Sequence, residues 1–400
     1  MQSLALLLSL QRQAGTSSAR QTNGGQVSQT NDLTVVAVGD HPTLLWGMTN
    51  GERIRRIAKA AKLGFGEGET GARLLVDTAF AFDPPLLRYM ASKPDHALVR
   101  DDRIVMAHVT DAGRAAEVGS VIHRGEAWTD ALGLEAIAHQ DGFTLYNEQL
   151  RKREQPFLIP LDQANVGKIE RASYYAAYKG VTDVLTKYLW PEWALVLTRL
   201  CARAGISPNM VTAVGAVFCL LAMWLFGNGH YWTGMAAGLV FMVLDTVDGK
   251  LARCTITSSK WGNVFDHGID LVHPPFWWWA WAMGLSAWNL AYSSRTFAIV
   301  LGVIVGGYIL QRAIEGAFMR RFGQMHIHVW EKFDSDFRLI TARRNPNMVI
   351  LFVGTLLGRP DLALIGVAWW TAISLLVHAV RLLQAELRHS RGIPITSWLR

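Results

Sequence analysis

Apolar and polar positions follow two different regimes along this chain. Before about Pro208 short apolar runs alternate with polar ones, and beyond it the apolar residues gather in long blocks. Thr34-Val-Val-Ala-Val38 reads as a strand, followed by a loop and a helix over Gly51 to Lys62 with one apolar and one basic face. Ala72 to Asp77 reads as a second strand, and an extended pair is expected near Ala97 to Val109. Alternating strands and helices predict a soluble α/β domain that ends near Pro160. Trp190 to Arg203 mixes apolar residues with Arg199 and Arg203 at helical spacing, the pattern of an amphipathic helix lying on a membrane surface.

The apolar blocks predict transmembrane helices near 209–227, 231–250, 263–288, 297–319, 346–358 and 361–381. The fifth is short for a bilayer that asks for roughly 20 residues, and it is expected to form a tight pair with the sixth, broken at Gly358-Arg-Pro-Asp361. The expected organisation is a disordered leader over 1–31, the α/β domain over 32–165, and a linker with the surface helix over 166–205. A six-helix membrane domain over 206–390 and a cytoplasmic tail over 391–400 complete it. No basic segment precedes the first Leu-rich run, which argues against a signal peptide.

Charge assigns sides to this arrangement. Six crossings put Arg199, Arg203, Lys250, Arg253, Lys260, Arg320, Arg321, Arg343, Arg344, Arg381, Arg388 and Arg391 on one side, against Arg295 and Arg359 on the other. By the positive-inside rule the basic side is cytoplasmic, together with the N-terminal domain and the C-terminus. The net charge of +7 on 400 residues is thereby accounted for without a nucleic-acid partner. Cys201, Cys219 and Cys254 form no CxxC pair, so neither a zinc site nor a disulfide framework is indicated. The 16 tryptophans, including Trp277 to Trp279 and Trp369-Trp370, suit interfacial belts and helix packing. The same bland reading applies to His267, His273, His326 and His328, none of which has a partner at metal-ligand spacing.

The chemistry concentrates at Asp245-Thr-Val-Asp248-Gly249-Lys-Leu-Ala252-Arg253 and Gly262-Asn-Val-Phe-Asp266-His-Gly-Ile-Asp270. Acids at membrane depth are costly, so four of them point to a bound cation or a substrate path. Asp245 and Asp248 are spaced i, i+3 and Asp266 and Asp270 i, i+4, so on helices each pair shares a face. Facing helices would gather four carboxylates, a donor set suited to two hard divalent ions such as Mg²⁺ or Mn²⁺ and to attack at phosphorus. Gly249 and Gly262 let a ligand approach the backbone, and Arg253 offers a fixed cation to a diphosphate.

The pattern D-x2-D-G-x2-A-R-x8-G-x3-D-x3-D resembles the signature of the CDP-alcohol phosphotransferase family and matches it at every fixed position. The resemblance implies six transmembrane helices, a homodimer, and attack of an acceptor hydroxyl on the β-phosphorus of a CDP-linked donor with release of CMP. It implies that Asp245, Asp248 and Asp266 hold the metals, and that Asp270 is the general base and also contacts them. Gly249, Ala252, Arg253 and Gly262 would shape the cytidine diphosphate pocket. Ser207-Pro208-Asn209 resembles the family's helix-opening segment; Pro208 is also an ordinary helix start, and Asn209 could face the nucleotide. Arg338, Arg343 and Arg344 follow the fourth span, where family members that accept phosphorylated alcohols are similar in using basic residues. Contact with lipid headgroups is the other reading of those three arginines.

The expected role is phospholipid or polar-lipid synthesis in a bacterial cytoplasmic membrane, with a polar alcohol, a lipid or inositol phosphate as acceptor. The N-terminal order resembles a shortened sugar-nucleotide-type nucleotidyltransferase domain, as in two-domain enzymes that make and then use CDP-inositol; the Tyr178-Lys179-Gly180 linker is similar to theirs. Asp77 would match that family's metal aspartate. No glycine-rich, lysine-ended loop follows Val38-Gly39-Asp40, so this domain is expected to be catalytically degenerate. A cation-coupled transporter is the alternative from another class, although the aspartate pattern has no second copy in the chain.

Overall fold

The computed structural model describes residues 33–400 except 67–70, 141–142 and 149, and leaves out the side chains of Asn263, Asp266 and His267. The leader expected over 1–31 lies outside the described residues.

The N-terminal half is an α/β unit. Its strands are β1 (Thr34–Val38), β2 (Gly64–Phe65), β3 (Arg73–Asp77), β4 (Phe80–Phe82), β5 (His96–Arg100), β6 (Arg103–Val109), β7 (Glu135–Ala138), β8 (Leu145–Asn147), β9 (Lys152–Glu154) and β10 (Leu158–Pro160). Six form one mixed sheet in the order β2-β1-β3-β6-β5-β7. The strands β1, β2 and β3 run parallel, and β6 is antiparallel to both of its neighbours. Val35, Leu74, Val76, Leu98 and Val105 are fully buried in it, as expected of strands covered by helices.

Three helices serve this sheet: α1 (Asn50–Ala60), α2 (Pro84–Ala91) and α3 (Ala112–Arg124). The Thr49 hydroxyl accepts from the Glu52 amide and starts α1 ahead of the expected Gly51. The Asn50 amide then donates to the carbonyls of Thr78 and Phe80, both at 2.8 Å, which fixes α1 to the end of β3. Asp111 caps α3, and Gly125 ends it at φ 64°.

The C-terminal half is helical throughout. The linker carries α4 (Val166–Ala176), α5 (Val184–Tyr188) and α6 (Pro191–Arg203). Then follow α7 (Pro208–Gly227), α8 (Tyr231–Cys254), α9 (Lys260–Gly284), α10 (Ser294–Arg321), α11 (Lys332–Arg338), α12 (Arg344–Leu356) and α13 (Pro360–Ser390). Of these, α7, α10 and α13 are long and apolar enough to cross a membrane. The aspartate-bearing α8 and α9 are as long but more polar, and α12 has 13 residues. On α6 the apolar Trp193, Val196 and Leu200 remain exposed while Ala194, Leu195 and Thr198 pack inward.

At the end of the helices away from the aspartates, backbones approach closely. A Cβ at Gly284 would clash with the Phe226 carbonyl, and one at Gly229, where φ is +74°, would lie 2.5 Å from Ala287. Trp277 and Trp281 are fully buried beside this junction and donate to the carbonyls of Cys219 and Pro360. Their role is packing, as their sequence context implies.

The two halves touch at the Trp46 turn and at α1. Trp46 donates its indole N–H to the Ser173 hydroxyl at 2.8 Å, and Arg56 donates to the Thr255 carbonyl at 2.9 Å. Gly47, at φ +77°, rests against the Ala202 carbonyl, where a Cβ would stand 3.1 Å away.

Candidate active site

The local periodicity of α8 and α9 positions the carboxylates. Asp245 and Asp248 lie one turn apart near the C-terminal end of α8, and Asp266 and Asp270 lie on the first turns of α9. Ser259 starts α9 by accepting from the Gly262 amide at 3.0 Å. The Asp266 side chain is outside the described ones, so the geometry concerns the other three.

Arg344, at the start of α12, joins two of them. It donates to Asp245 Oδ2 at 2.7 Å and to Asp270 Oδ1 at 2.8 Å, and its guanidinium lies 4.8 Å from the centre of the Phe241 ring. Asp248 is arranged differently. Its Oδ2 accepts from the Thr212 hydroxyl at 2.6 Å, while its Oδ1 is buried with no hydrogen-bond partner among the described residues. A buried carboxylate oxygen without a donor is costly, and a cation would satisfy it. Carboxylate oxygens of this kind suit a hard divalent ion, with Asp248 Oδ1 left open to one while Asp245 and Asp270 are held by Arg344.

Two cavities flank these acids. The first, about 430 Å³, is lined by Asn209, Thr212, Asp248, Gly249, Ala252 and Gly262, and by Trp46 and Arg56 from the α/β half. Asn209 and Gly262 are so close that a Cβ on the glycine would fall 2.9 Å from the amide oxygen. The second, about 500 Å³, holds Asp245, Asp270, Arg253, Arg338, Arg343 and Arg344, and shares Gly249 and Ala252 with the first. Every described site residue expected from the sequence thus lines one of the two cavities.

The arginines differ in their surroundings. Arg253 donates from Nε to the Ala177 carbonyl at 3.0 Å and folds back over Gly249. Arg343 donates to Glu315 at 2.5 Å and to His328 Nε2 at 3.1 Å. Arg338 is buried beside Asp183; burial pushes its guanidinium down to about 9, and the neighbouring Arg343 adds to the shift. Burial alone would raise Asp183, but the Arg338 charge and bonds from Thr186 and Asn345 hold it below the usual carboxylate range.

Sequence reasoning passed over several residues here. Thr212 carried no signal beyond its place in a helix-opening segment. Glu315 was detectable as a lone acid in the fourth apolar block. With His328 and His378 it brings three potential ligand atoms within 4.8 Å of one another. Arg343 and Arg312 already neutralise its carboxylate, and His328 accepts from Arg343, so the trio is an ion-pair network rather than a metal centre. His273 donates or accepts within its own helix, at the Ile269 carbonyl.

In the α/β half, Asp77 ends β3 as the sequence pattern expects. Its Oδ1 accepts from the Ala79 amide at 2.8 Å and its Oδ2 faces Arg103 at 3.3 Å. Burial raises its pKa, against the pull of that amide and that guanidinium. With an arginine on one oxygen and its own turn on the other, this carboxylate is engaged structurally.

Comparison with known proteins bears on the same segment of the chain. Residues 205–335 match the CDP-alcohol phosphatidyltransferase family. Cholinephosphotransferase 1 of Gallus gallus is 30% identical over 128 residues, 29% of this chain and 37% of that protein. The phosphatidylinositol phosphate synthase of Mycolicibacterium smegmatis is 26% identical over 203 residues, 49% of this chain and 82% of that protein. The archaetidylinositol phosphate synthase of Pyrococcus horikoshii is 26% identical over 194 residues, 48% of this chain and 89% of that protein. The chain thus spans little more than a third of the cholinephosphotransferase and most of the two inositol phosphate synthases. It is through residues 205–335, which carry the aspartates of α8 and α9, that the chain is similar to the CDP-alcohol phosphatidyltransferase family.

Proposed function

We propose that this protein is a membrane CDP-alcohol phosphotransferase of phospholipid or polar-lipid synthesis. The observation that carries the reading is that Asp248 lines one cavity while Asp245 and Asp270 line a second, arginine-rich one, the two sharing Gly249 and Ala252. Asn209, Gly249, Ala252, Gly262 and Arg253 would receive the cytidine diphosphate, the two glycines giving the diphosphate access to the backbone. Asp245, Asp248 and Asp266 would hold two Mg²⁺ or Mn²⁺ ions, with Asp270 in contact. Bound there, such ions neutralise charge on the β-phosphate and on the departing CMP.

Asp270 faces the second cavity and its side chain is 45% exposed, which suits a base that meets an incoming alcohol. It takes the acceptor's hydroxyl proton as the oxygen bonds to the β-phosphorus. The bond to the CMP oxygen breaks, and CMP leaves with the electron pair. Arg344 orients Asp270 and Asp245 through its two hydrogen bonds. The donor is a CDP-linked lipid or alcohol, and the acceptor a polar alcohol such as inositol phosphate, as the names of two relatives would have it.

In this reading α7, α8, α9, α10, α12 and α13 are six crossings of a bacterial cytoplasmic membrane, with α6 on its surface. The carboxylates, the α/β half and the C-terminus face the cytoplasm, and two copies associate. Residues 32–165 form a nucleotidyltransferase-like domain that has lost its own catalysis; the engagement of Asp77 with Arg103 supports that loss.

The test is CMP release by purified protein with CDP-diacylglycerol and a panel of alcohol acceptors, with Mg²⁺ and after chelation. Turnover should need the metal, and Asp270→Asn should lower kcat by about 100-fold or more. Wild-type turnover in Asp270→Asn would falsify the assignment of the base, and activity in excess chelator that of the metals.

A further inference from the structure

The first cavity has a direction. Thr212 and Asp248 meet on its wall through their bond at 2.6 Å. From that bond α7 counts back through Asn209 to Gly205, and α8 counts forward through Ala252 to Thr255, with all four residues lining the cavity. The turn between the two helices is short and makes them antiparallel, so both walls recede from Asp248 the same way. The helix rises about 10 Å from Asp248 to Thr255, which is the order of the reach of a nucleoside diphosphate from its terminal phosphate to its base. A donor whose diphosphate lies at Asp248 therefore sets its base at the far end.

That end is closed by the α/β half, through the Trp46 to Met48 turn and Arg56. Arg56 is fixed from both sides. Its Nε donates to Glu52 at 2.7 Å, one turn back on α1, and its Nη1 donates at 2.9 Å to the carbonyl of Thr255, the residue that caps α8. Nη2 has no acceptor among the described residues, and the side chain is 32% exposed, so a donor stands accessible at the wall of the cavity. The neighbouring hydroxyls are already engaged. Thr255 donates to the Leu251 carbonyl at 2.6 Å and shares a bond of 2.8 Å with Thr257, while Ser259 caps α9. A planar guanidinium held by two bonds loses little freedom when a ligand arrives.

We infer that Arg56 is a specificity-determining residue of the donor pocket, and that its Nη2 donates to the acceptor edge of the pyrimidine base. Cytosine offers two acceptors on that edge, O2 and the unprotonated N3. Uracil carries a proton on N3, which would meet the guanidinium donor against donor, so a cytidine nucleotide is favoured over a uridine one. Arg56 lies outside residues 205–335, the segment that matches the family, and the α/β half thereby completes a binding site of the helical half. The assignment rests on the proposed transferase function and extends it to how the donor is selected.

The test is calorimetric titration of CMP and of UMP, with Mg²⁺, into the full chain in detergent, for wild type, Arg56→Met and Arg56→Lys. Wild type should bind CMP about tenfold or more tighter than UMP. Arg56→Met should weaken CMP by about tenfold while UMP shifts by less than about threefold, so the preference collapses. Arg56→Lys should fall between, since it keeps the charge and loses the fork. It also serves as the readout should Arg56→Met not fold. A general loosening of the site would weaken both nucleotides by the same factor. That result, an unchanged CMP affinity in both variants, or a wild type without preference overturns the inference and leaves the transferase function standing; Arg56 then only braces α1 against α8. A wild type that binds neither nucleotide overturns the transferase function, and this assignment with it.

Discussion

Thr212 donates its hydroxyl to Oδ2 of Asp248 at 2.6 Å, so the first turns of α7 hold a carboxylate of α8. Among the described residues the other oxygen of Asp248 is buried without a donor. In the proposed mechanism the bond selects which lone pairs remain for a cation. A hydrogen bond to a charged group contributes about 1.5–3 kcal/mol, so Thr212→Val should lower kcat/KM for the CDP donor by about 10- to 100-fold. Thr212→Ser, which retains the hydroxyl, should recover most of it. CMP release measured over a Mg²⁺ titration checks both variants; wild-type kinetics in Thr212→Val would reduce the bond to a packing detail.

Gly47 tests the part the α/β half plays at the first cavity. Its φ of +77° and its closeness to the Ala202 carbonyl leave no comfortable place for a Cβ. Gly47→Ala should cost about 1 kcal/mol or more, a loss of a few degrees in Tm. Because the Trp46 to Met48 turn lines the first cavity, the donor KM should rise severalfold while the acceptor KM stays put. A fall in Tm with unaltered donor KM would mean that the turn braces the two halves without touching the nucleotide.

Asp83, which precedes α2, sets a pH dependence. Burial, reinforced by Glu154, pushes its pKa from 3.8 up to about 6. The folded protein thus binds this proton more tightly than the unfolded chain. The resulting stabilisation is complete below about pH 4 and is lost as pH rises through about 6, a change of at most about 3 kcal/mol. Asp83→Asn should flatten that part of the Tm-against-pH curve and gain on wild type at neutral pH. Thermal melts between pH 4 and 8 decide it, and parallel curves for the two proteins would refute the role.

What could be read in advance follows from the range of each interaction. The strand Thr34–Val38 and the helix starts near Pro208 and Tyr231 have local causes, an alternating pattern, a capping serine and an apolar block, and they stand where the pattern puts them. The i, i+3 spacing of Asp245 and Asp248 is likewise local. The Arg344 bridge is not, since it reaches Asp270 and Asp245 across 74 and 99 residues of chain. The sequence offered Arg344 as a contact for the acceptor or for lipid headgroups, and nothing in it announced a bridge between two aspartates. The turn at Arg151 offered less still, with no glycine or asparagine at the left-handed position to announce it. Its conformation is imposed by Gly180 and the linker, which only the folded chain brings together.

The glycine contacts at the far end of the helices bear on how firmly the bundle is held. Gly229 and Gly284 let the turn after α7 and the end of α9 press backbone to backbone, with Trp277 and Trp281 wedged alongside. At the opposite tips the Thr212 bond to Asp248 and the Arg344 bridge between Asp245 and Asp270 tie the same three helices again, so α7, α8 and α9 are clasped at both ends.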